Sequence, residues 1–267
     1  MVLETFSQPQ KNLGITLLSQ RELDKMRRVG KLAANLLDYL ESMVKPGIST
    51  QELNDRAARW MRDRGAIAAT LGYAPPGHPP FTGSICTSIN EVVCHGIPSR
   101  NQILQDGDII NIDVTPILDG YHGDTSRTFL VGNVSQQARK LVQVTEESML
   151  RGIAEIKPGA RVGDIGAAIQ KYAEANGFSV VRELTGHGVG RKFHTKPEIP
   201  HFGRPGKGLK LRTGMVFTVE PMINQGTRHL KFLKDGWTVI TRDRQLSAQF
   251  EHTVAVTETG FEILTVS

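Results

Sequence analysis

Cysteine is scarce in this chain: Cys86 and Cys94 are the only two among 267 residues. They lie close together in one strand-like segment, which disfavours a disulfide and points to a reducing, cytoplasmic compartment. No apolar run approaches the roughly 18 residues needed to cross a bilayer, so no membrane association is expected. The start of the chain, MVLETFSQPQKNLG, lacks a basic segment leading into an apolar core, so a secretory signal is not expected either. Strong charge of one sign is also missing. Lys and Arg number 32 against 27 Asp and Glu, a net charge of +5, and the basic residues are scattered. That balance allows a weak attraction to polyanions such as RNA or the ribosome. It does not support specific nucleic-acid recognition, and no DNA partner is expected. The remaining bulk properties, 39% hydrophobic and 22% charged residues, are those of an ordinary globular protein.

What is present is a set of acids and histidines in unsuitable company. Asp113, Asp124, His187, Glu220 and Glu251 each sit in a short stretch that reads as a buried strand or a glycine-flanked turn. Burying an unpaired carboxylate is costly, and no run of Lys or Arg accompanies these four. A bound pair of metal ions is the economical partner.

The order of elements supports this reading. Residues 1–18 read as a flexible tail. A helix begins at Ser19, where S-Q-R-E forms a capping box with Glu22, and Leu23, Met26, Leu32, Leu36, Leu37 and Leu40 follow at helical spacing. VKPG at 44–47 stops it; Ser49 and Glu52 start a second helix, which Gly65 closes. The second half repeats this grammar. IKPG at 156–159 matches VKPG, the following helices align with Ile165 under Leu53 and Gly177 under Gly65, and TGMVFTVE (213–220) matches DGDIINID (106–113). GHGV (186–189) is further matched to CHGI (94–97), which pairs His187 with His95. Two long copies indicate a duplicated, pseudo-symmetric domain rather than a many-repeat solenoid. Val/Ile/Thr-rich strands bounded by Gly, Asn or Asp alternate with periodic helices, an α+β pattern of antiparallel hairpins covered by helices on one face.

The hairpin NIDVTPILDGYHGDTSRTFLVG (111–132) yields a register. Asp119-Gly120 is a two-residue turn signal, so Leu118 pairs with Tyr121, Asp113 opposes Ser126 and Thr115 opposes Asp124. With side chains alternating, Asp113 and Asp124 become diagonal neighbours on one face, roughly 7–8 Å apart at Cα. Two bare carboxylates there would repel until one took a proton. The repeat puts Glu220, among Met, Val and Phe, at the position of Asp113. Glycines on both sides of His187 let its backbone turn the imidazole inward, and Glu251 in QFEHTVAVT completes the set. Four carboxylates and one imidazole favour Mn²⁺, Fe²⁺, Co²⁺ or Zn²⁺ over a thiolate-selected metal. Two such ions about 3.5–4 Å apart activate water for amide or ester hydrolysis.

The segments SINEVVCHGIP, NIDVTPILDGYHGDTSRTF, LTGHGVGRKFHTKP, MVFTVEPM and LSAQFEHTVAVT together resemble the type I methionine aminopeptidases of the M24 metallopeptidases. The resemblance runs from about residue 19 to 267 and implies the pita-bread fold, one catalytic domain (19–267) of two pseudo-symmetric halves. It implies removal of the N-terminal methionine from nascent peptides whose second residue is small. It further implies a dinuclear site of Asp113, Asp124, His187, Glu220 and Glu251, with Asp124 and Glu251 bridging and a metal-bound hydroxide as nucleophile. In that family the position of Glu220 accepts the proton, that of His194 binds the peptide carbonyl, and that of His95 contacts substrate near the scissile amide. Tyr73, Cys86, Phe193 and Trp237 fall where the family lines its methionine pocket, and a thiol with aromatic rings suits a thioether. A cytoplasmic monomer is the form implied.

Departures from the family pattern are confined. The stretch APPGHPPFTGSI (74–85) is longer and richer in proline than is usual, which predicts a stiff loop at the pocket mouth, with Phe81 in the outer pocket position and His78 in solvent. No zinc-finger or SH3-binding extension precedes the catalytic region, and no long helical insertion separates His187 from Glu220, which argues against the type II branch. The competing readings are an Xaa-Pro aminopeptidase or prolidase of the same fold, and a non-enzymatic pita-bread binding module. The former normally carries a sizeable extra N-terminal domain, and the latter loses metal ligands that this chain keeps.

Overall fold

The computed structural model describes residues 14–267. Its first helix, α1 (Gln20–Glu41), starts as its sequence dictates: the Glu22 carboxylate accepts from the Ser19 backbone N–H at 3.0 Å and from the Ser19 hydroxyl at 2.8 Å. Leu23, Met26, Leu36, Leu37 and Leu40 are buried along it, with Leu32 at the margin. In α2 (Thr50–Arg62) the Ser49 hydroxyl accepts from Glu52 N–H at 3.1 Å, and Gly65 closes the turn at φ +70°. The second pair, α3 (Gln136–Ala154) and α4 (Val162–Ala175), follows the same order. Each pair roofs its own apolar cluster, one around Leu37, Leu53 and Ile112, the other around Leu141, Ile165 and Phe217.

The duplication is visible atom by atom. Gly47 and Gly159 share φ +92°, and their N–H groups donate to Leu104 O (2.8 Å) and Leu211 O (3.0 Å). Gly107 and Gly214 have φ +96° and +86°, and theirs donate to Val131 O and Val256 O, both at 2.9 Å. A side chain with a Cβ is strained at such angles, which is why K-P-G and D/T-G recur in the sequence. In the first half the strand Ile109–Val114 lies between Cys86–Ile89 and Thr125–Leu130; in the second, Val216–Val219 lies between Gly186–Gly188 and His252–Val256, all antiparallel. The halves meet where Ser126 and Glu251 exchange backbone hydrogen bonds at 3.4 and 3.0 Å. Hydroxyls repeat the seam on either side: Thr128 Oγ1 donates to Gln249 O at 2.6 Å and Thr253 Oγ1 to Asp124 O at 2.7 Å.

One expected correspondence fails. Ser88 pairs with Asn111, while Phe217 pairs with Gly188, so that His187 stands beside Thr218, the residue matching Asn111. The structural counterpart of His187 is therefore Ser88. His95 lies beyond the next strand, Val92–Cys94, at φ +55°. The H-G dipeptides match as text, yet His187 lies within the strand Gly186–Gly188 whereas His95 follows the end of Val92–Cys94, a different strand of the repeat. Most of the tail expected over 1–18 lies outside the described residues. Of its described part, Leu18 N–H donates to Gly214 O at 2.8 Å and Ile15 and Leu18 pack against the core, so both are anchored. Among the described residues no helix is long and apolar enough to cross a membrane.

Helix α1 approaches the Asp124 hairpin through two glycines. A Cβ on Gly123 would meet Val29 O at 2.5 Å, and one on Gly30 would meet Leu264 O at 2.2 Å. Gly123→Ala is expected to destabilise the fold by about 1–3 kcal/mol, the usual cost of overpacking, read as a lowered Tm in thermal unfolding. Gly260→Ala, where a Cβ meets nothing within 4 Å, is the control; equal Tm values for the two would refute this packing account.

Candidate metal centre

The turn Asp119-Gly120 has φ +51° and +76°, the angles that a two-residue hairpin of this kind demands. Leu118 pairs with Tyr121 and Asp113 with Ser126, the register expected from the sequence. The consequence is direct: Thr115 Oγ1 donates to Asp124 Oδ1 at 2.7 Å, which fixes one carboxylate oxygen and leaves the other free. Asp124 and Glu251 are only 3% and 2% exposed.

The strand Val216–Val219 delivers Glu220 to the same place. Thr218 Oγ1 donates to Glu220 Oε1 at 2.7 Å, the Gln249 amide to Oε2 at 3.3 Å, and the Glu220 backbone N–H to His201 Nε2 at 3.1 Å. His187 Nε2 stands 3.5 Å from Asp124 Oδ2 and 3.5 Å from Glu220 Oε1. Its Nδ1 lies 3.2 Å from Gly188 O, which can only accept, so that nitrogen carries the proton and Nε2 offers its lone pair to the carboxylates. One ligand atom each of Asp124, His187 and Glu251 falls within 4.8 Å of the others, and Asp113 lines the same cavity. Asp113 Oδ1 is buried without any hydrogen-bond partner.

Electrostatics agree with that orphan. Burial pushes Asp113 up to about 7 and Glu220 up to about 8. Asp124 and Glu251 stand well above their ordinary values through burial, with the neighbouring carboxylates adding to the effect. Burial lowers His187 to about 4, so it is neutral at physiological pH. A group of acids that wants protons, with one buried oxygen unsatisfied and a neutral imidazole aimed at it, is a fitting cradle for hard divalent cations.

Around it lies a cavity of about 490 Å³. All the expected pocket residues line it: Tyr73, Cys86, Phe193 and Trp237, with His95 and His194 beside them. Phe193 contacts both Tyr73 (5.1 Å between ring centroids) and His194 (4.1 Å), and Trp237 meets His95 edge-on at 6.1 Å. Phe81 is buried and packs edge-on against Trp237 at 5.2 Å. His78 is exposed, as expected, but ties its loop down through Nδ1 to Gly236 O at 2.7 Å. Several members were not picked out from sequence: Cys94 and Thr70 in the wall, and Thr218, Gln249 and His201 around Glu220. Thr218 and Gln249 each lie two residues before a carboxylate of the set, on the same strand face, so alternation could have found them. Cys94 and Thr70 reach the wall only through the fold, and His201 gives no local signal.

Residues 24–258 match the model of metallopeptidase family M24. Methionine aminopeptidase B of Synechocystis sp. is 75% identical to the chain over 259 residues, 97% of this chain and 94% of the relative. The crystal structure of methionine aminopeptidase from Rickettsia prowazekii superposes with a TM-score of 0.91 at 53% identity, covering 94% of this chain and 100% of that one. The prolidase from Pyrococcus furiosus, at TM-score 0.74 and 20% identity over 94% of this chain and 65% of its own, shares the fold alone. With a duplicated antiparallel frame, an acid-rich centre at its seam and these matches over nearly its whole length, the chain belongs to metallopeptidase family M24 and has its pita-bread fold.

Proposed function

We propose that the chain is a methionyl aminopeptidase that removes the N-terminal methionine of nascent proteins and peptides when the second residue is small. The observation that carries this reading is the buried acid cluster opening onto an aromatic and thiol-lined cavity. The names of its relatives of 75% and 53% identity add to it. Asp113, Asp124, His187, Glu220 and Glu251 would hold two divalent ions (Co, Mn, Fe or Zn). When bound, such ions lower the pKa of water and polarise a carbonyl.

The protein's own groups complete the reaction. Cys86, Phe193, Trp237 and Tyr73 enclose the methionine side chain and exclude water from the scissile amide. Glu220, oriented by Thr218 and Gln249, takes the proton of the attacking water and returns it to the leaving amine. His194 donates to the carbonyl oxygen as it gains negative charge. His95, half-buried and held near 4 by the loss of solvent around its ring, is a neutral hydrogen-bonding group beside the amide. Residues 19–267 hold every one of these groups, which supports reading them as a single catalytic domain. Two buried free thiols support a cytoplasmic setting. The net charge of +5 supports transient contact with the ribosome.

The protein reconstituted with Mn²⁺ or Co²⁺ is expected to cleave a Met-Ala peptide; turnover of an Xaa-Pro peptide alone would replace this reading with a prolidase-type one. Glu220→Gln and Glu251→Gln should each abolish turnover with the circular-dichroism spectrum unchanged, and retained activity in either would defeat the metal assignment. His194→Ala should lower kcat by about 10²–10³-fold, the usual cost of one lost oxyanion donor.

Metal removal gives a separate test. Without metal, Asp113 and Glu220 keep their protons to about pH 7 and 8 in the fold, against ordinary values of 3.8 and 4.5. The fold therefore loses stability as pH rises through that window. His187 and His95, depressed to about 4 from 6.5, act in the opposite direction, but only below 6.5. Above 6.5 the histidines no longer contribute and the carboxylates carry the change, so the Tm of metal-free protein should fall between about pH 6.5 and 8, before the buried thiols Cys86 and Cys94 add to it, and saturating Mn²⁺ should flatten that fall. An unchanged metal-free Tm across the window would contradict the buried-acid description.

A further inference from the structure

Two imidazoles stand side by side in the cavity, His187 and His194, with ring centroids 4.1 Å apart. Each uses its Nδ1 in a hydrogen bond, and the partners differ in kind. For His187 the partner is the carbonyl oxygen of Gly188, which accepts; for His194 it is the phenol of Tyr73, at 2.9 Å. Among the described residues, this is the sole hydrogen bond made by the His194 ring. The tautomer of a neutral imidazole is set by the bond that its other nitrogen makes. A phenol O–H is a stronger donor than an imidazole N–H, and an imidazole nitrogen is a stronger acceptor than a phenol oxygen. The proton between Tyr73 and His194 therefore stays on Tyr73.

We propose that Tyr73 is a positioning residue for the reaction: its hydroxyl donates to His194 Nδ1 and so keeps the imidazole proton on Nε2, ready to donate to the substrate carbonyl. This rests on the reading that His194 is that donor. The neighbouring pair then has opposite tautomers by construction, His187 presenting a lone pair to the acids and His194 presenting an N–H to the peptide.

The surroundings of Tyr73 suit such a task. Its backbone N–H donates to Thr70 O at 3.0 Å, its carbonyl accepts from Phe81 N–H at 2.9 Å, and Gly72 N–H donates to Phe81 O at 2.8 Å. These bonds make a narrow neck at the base of the proline-rich loop. The head of that loop is fastened to the opposite turn, where the Trp237 indole N–H donates to Pro79 O at 2.8 Å. The Tyr73 ring lies against His194 with centroids 5.3 Å apart and planes 29° from parallel, so the hydroxyl is held at the imidazole edge. The proline-rich loop thus anchors the side chain that orients His194.

The test uses Tyr73→Phe, which deletes the hydroxyl and keeps the ring. In ¹⁵N-histidine-labelled protein loaded with Zn²⁺, with the His194 resonances assigned through His194→Ala, the ring nitrogens should report Nε2–H in the unaltered protein. In Tyr73→Phe they should report a mixture of tautomers. With a Met-Ala peptide, Tyr73→Phe should lower kcat about tenfold and leave KM within about twofold. Placed in the His194→Ala background, the same change should alter kcat by less than about twofold, since the two act through one bond. An unchanged tautomer, or an equal loss in both backgrounds, overturns the positioning role and leaves Tyr73 a pocket wall. A His194→Ala enzyme with full kcat removes the carbonyl-donor role of His194, and this inference with it, while the tautomer measurement still decides whether the bond exists.

Discussion

Four carboxylates gathered in one buried place repel one another, and everything else in this protein is arranged so that they stay there. Asp113 and Asp124 are held by a hairpin whose turn permits a single register, and Thr115 fastens one oxygen of Asp124. Glu220 is held by a hydroxyl, an amide and an imidazole behind its backbone. The arrangement is unfavourable in isolation. It is supported by the dense strand pairing and the two apolar clusters beneath it, which supply the surplus that a site of like charges consumes. A protein stabilised only by its surface could not hold this centre.

The duplication supplies the geometry economically. One strand–helix unit, used twice, brings two similar edges face to face, and the contact between Ser126 and Glu251 lies where they cross. Symmetric frames give symmetric positions, yet chemistry at an amide needs asymmetry. The copies differ where it counts: Ser88 stands where the second half has His187, and Ser126 pairs with Asp113 where the second half carries Glu251, one residue beyond the last pair of its ladder, Val219 with His252. The frame is shared and the side chains are not.

Much of this was legible in the sequence because it depends on local rules. Capping at Ser19 and Ser49, the Asp119-Gly120 turn and the positive-φ glycines of the K-P-G repeats all act within a few residues. The hairpin turn fixed a register that places Asp113 and Asp124 correctly. The match of CHGI to GHGV misleads because a four-residue motif carries no strand number, and the loops between strands differ in length in the two halves. His201 was invisible for another reason. Its role depends on a contact with the backbone of Glu220 made only after the strands assemble, and nothing in its neighbours announces it. The family resemblance places Tyr73 in the pocket, but its hydroxyl's partner is not legible from spacing, since 121 residues separate it from His194.

The seam at Ser126 and Glu251 has a consequence for the order of events during synthesis. The acids of the first half are translated early, whereas Glu251 arrives late, directly ahead of the strand His252–Val256 that pairs with Val216–Val219. Until that strand emerges and pairs, no partly made chain can assemble the full cluster. A chain still being made therefore lacks the complete acid cluster, which exists only once Glu251 has joined the carboxylates translated before it.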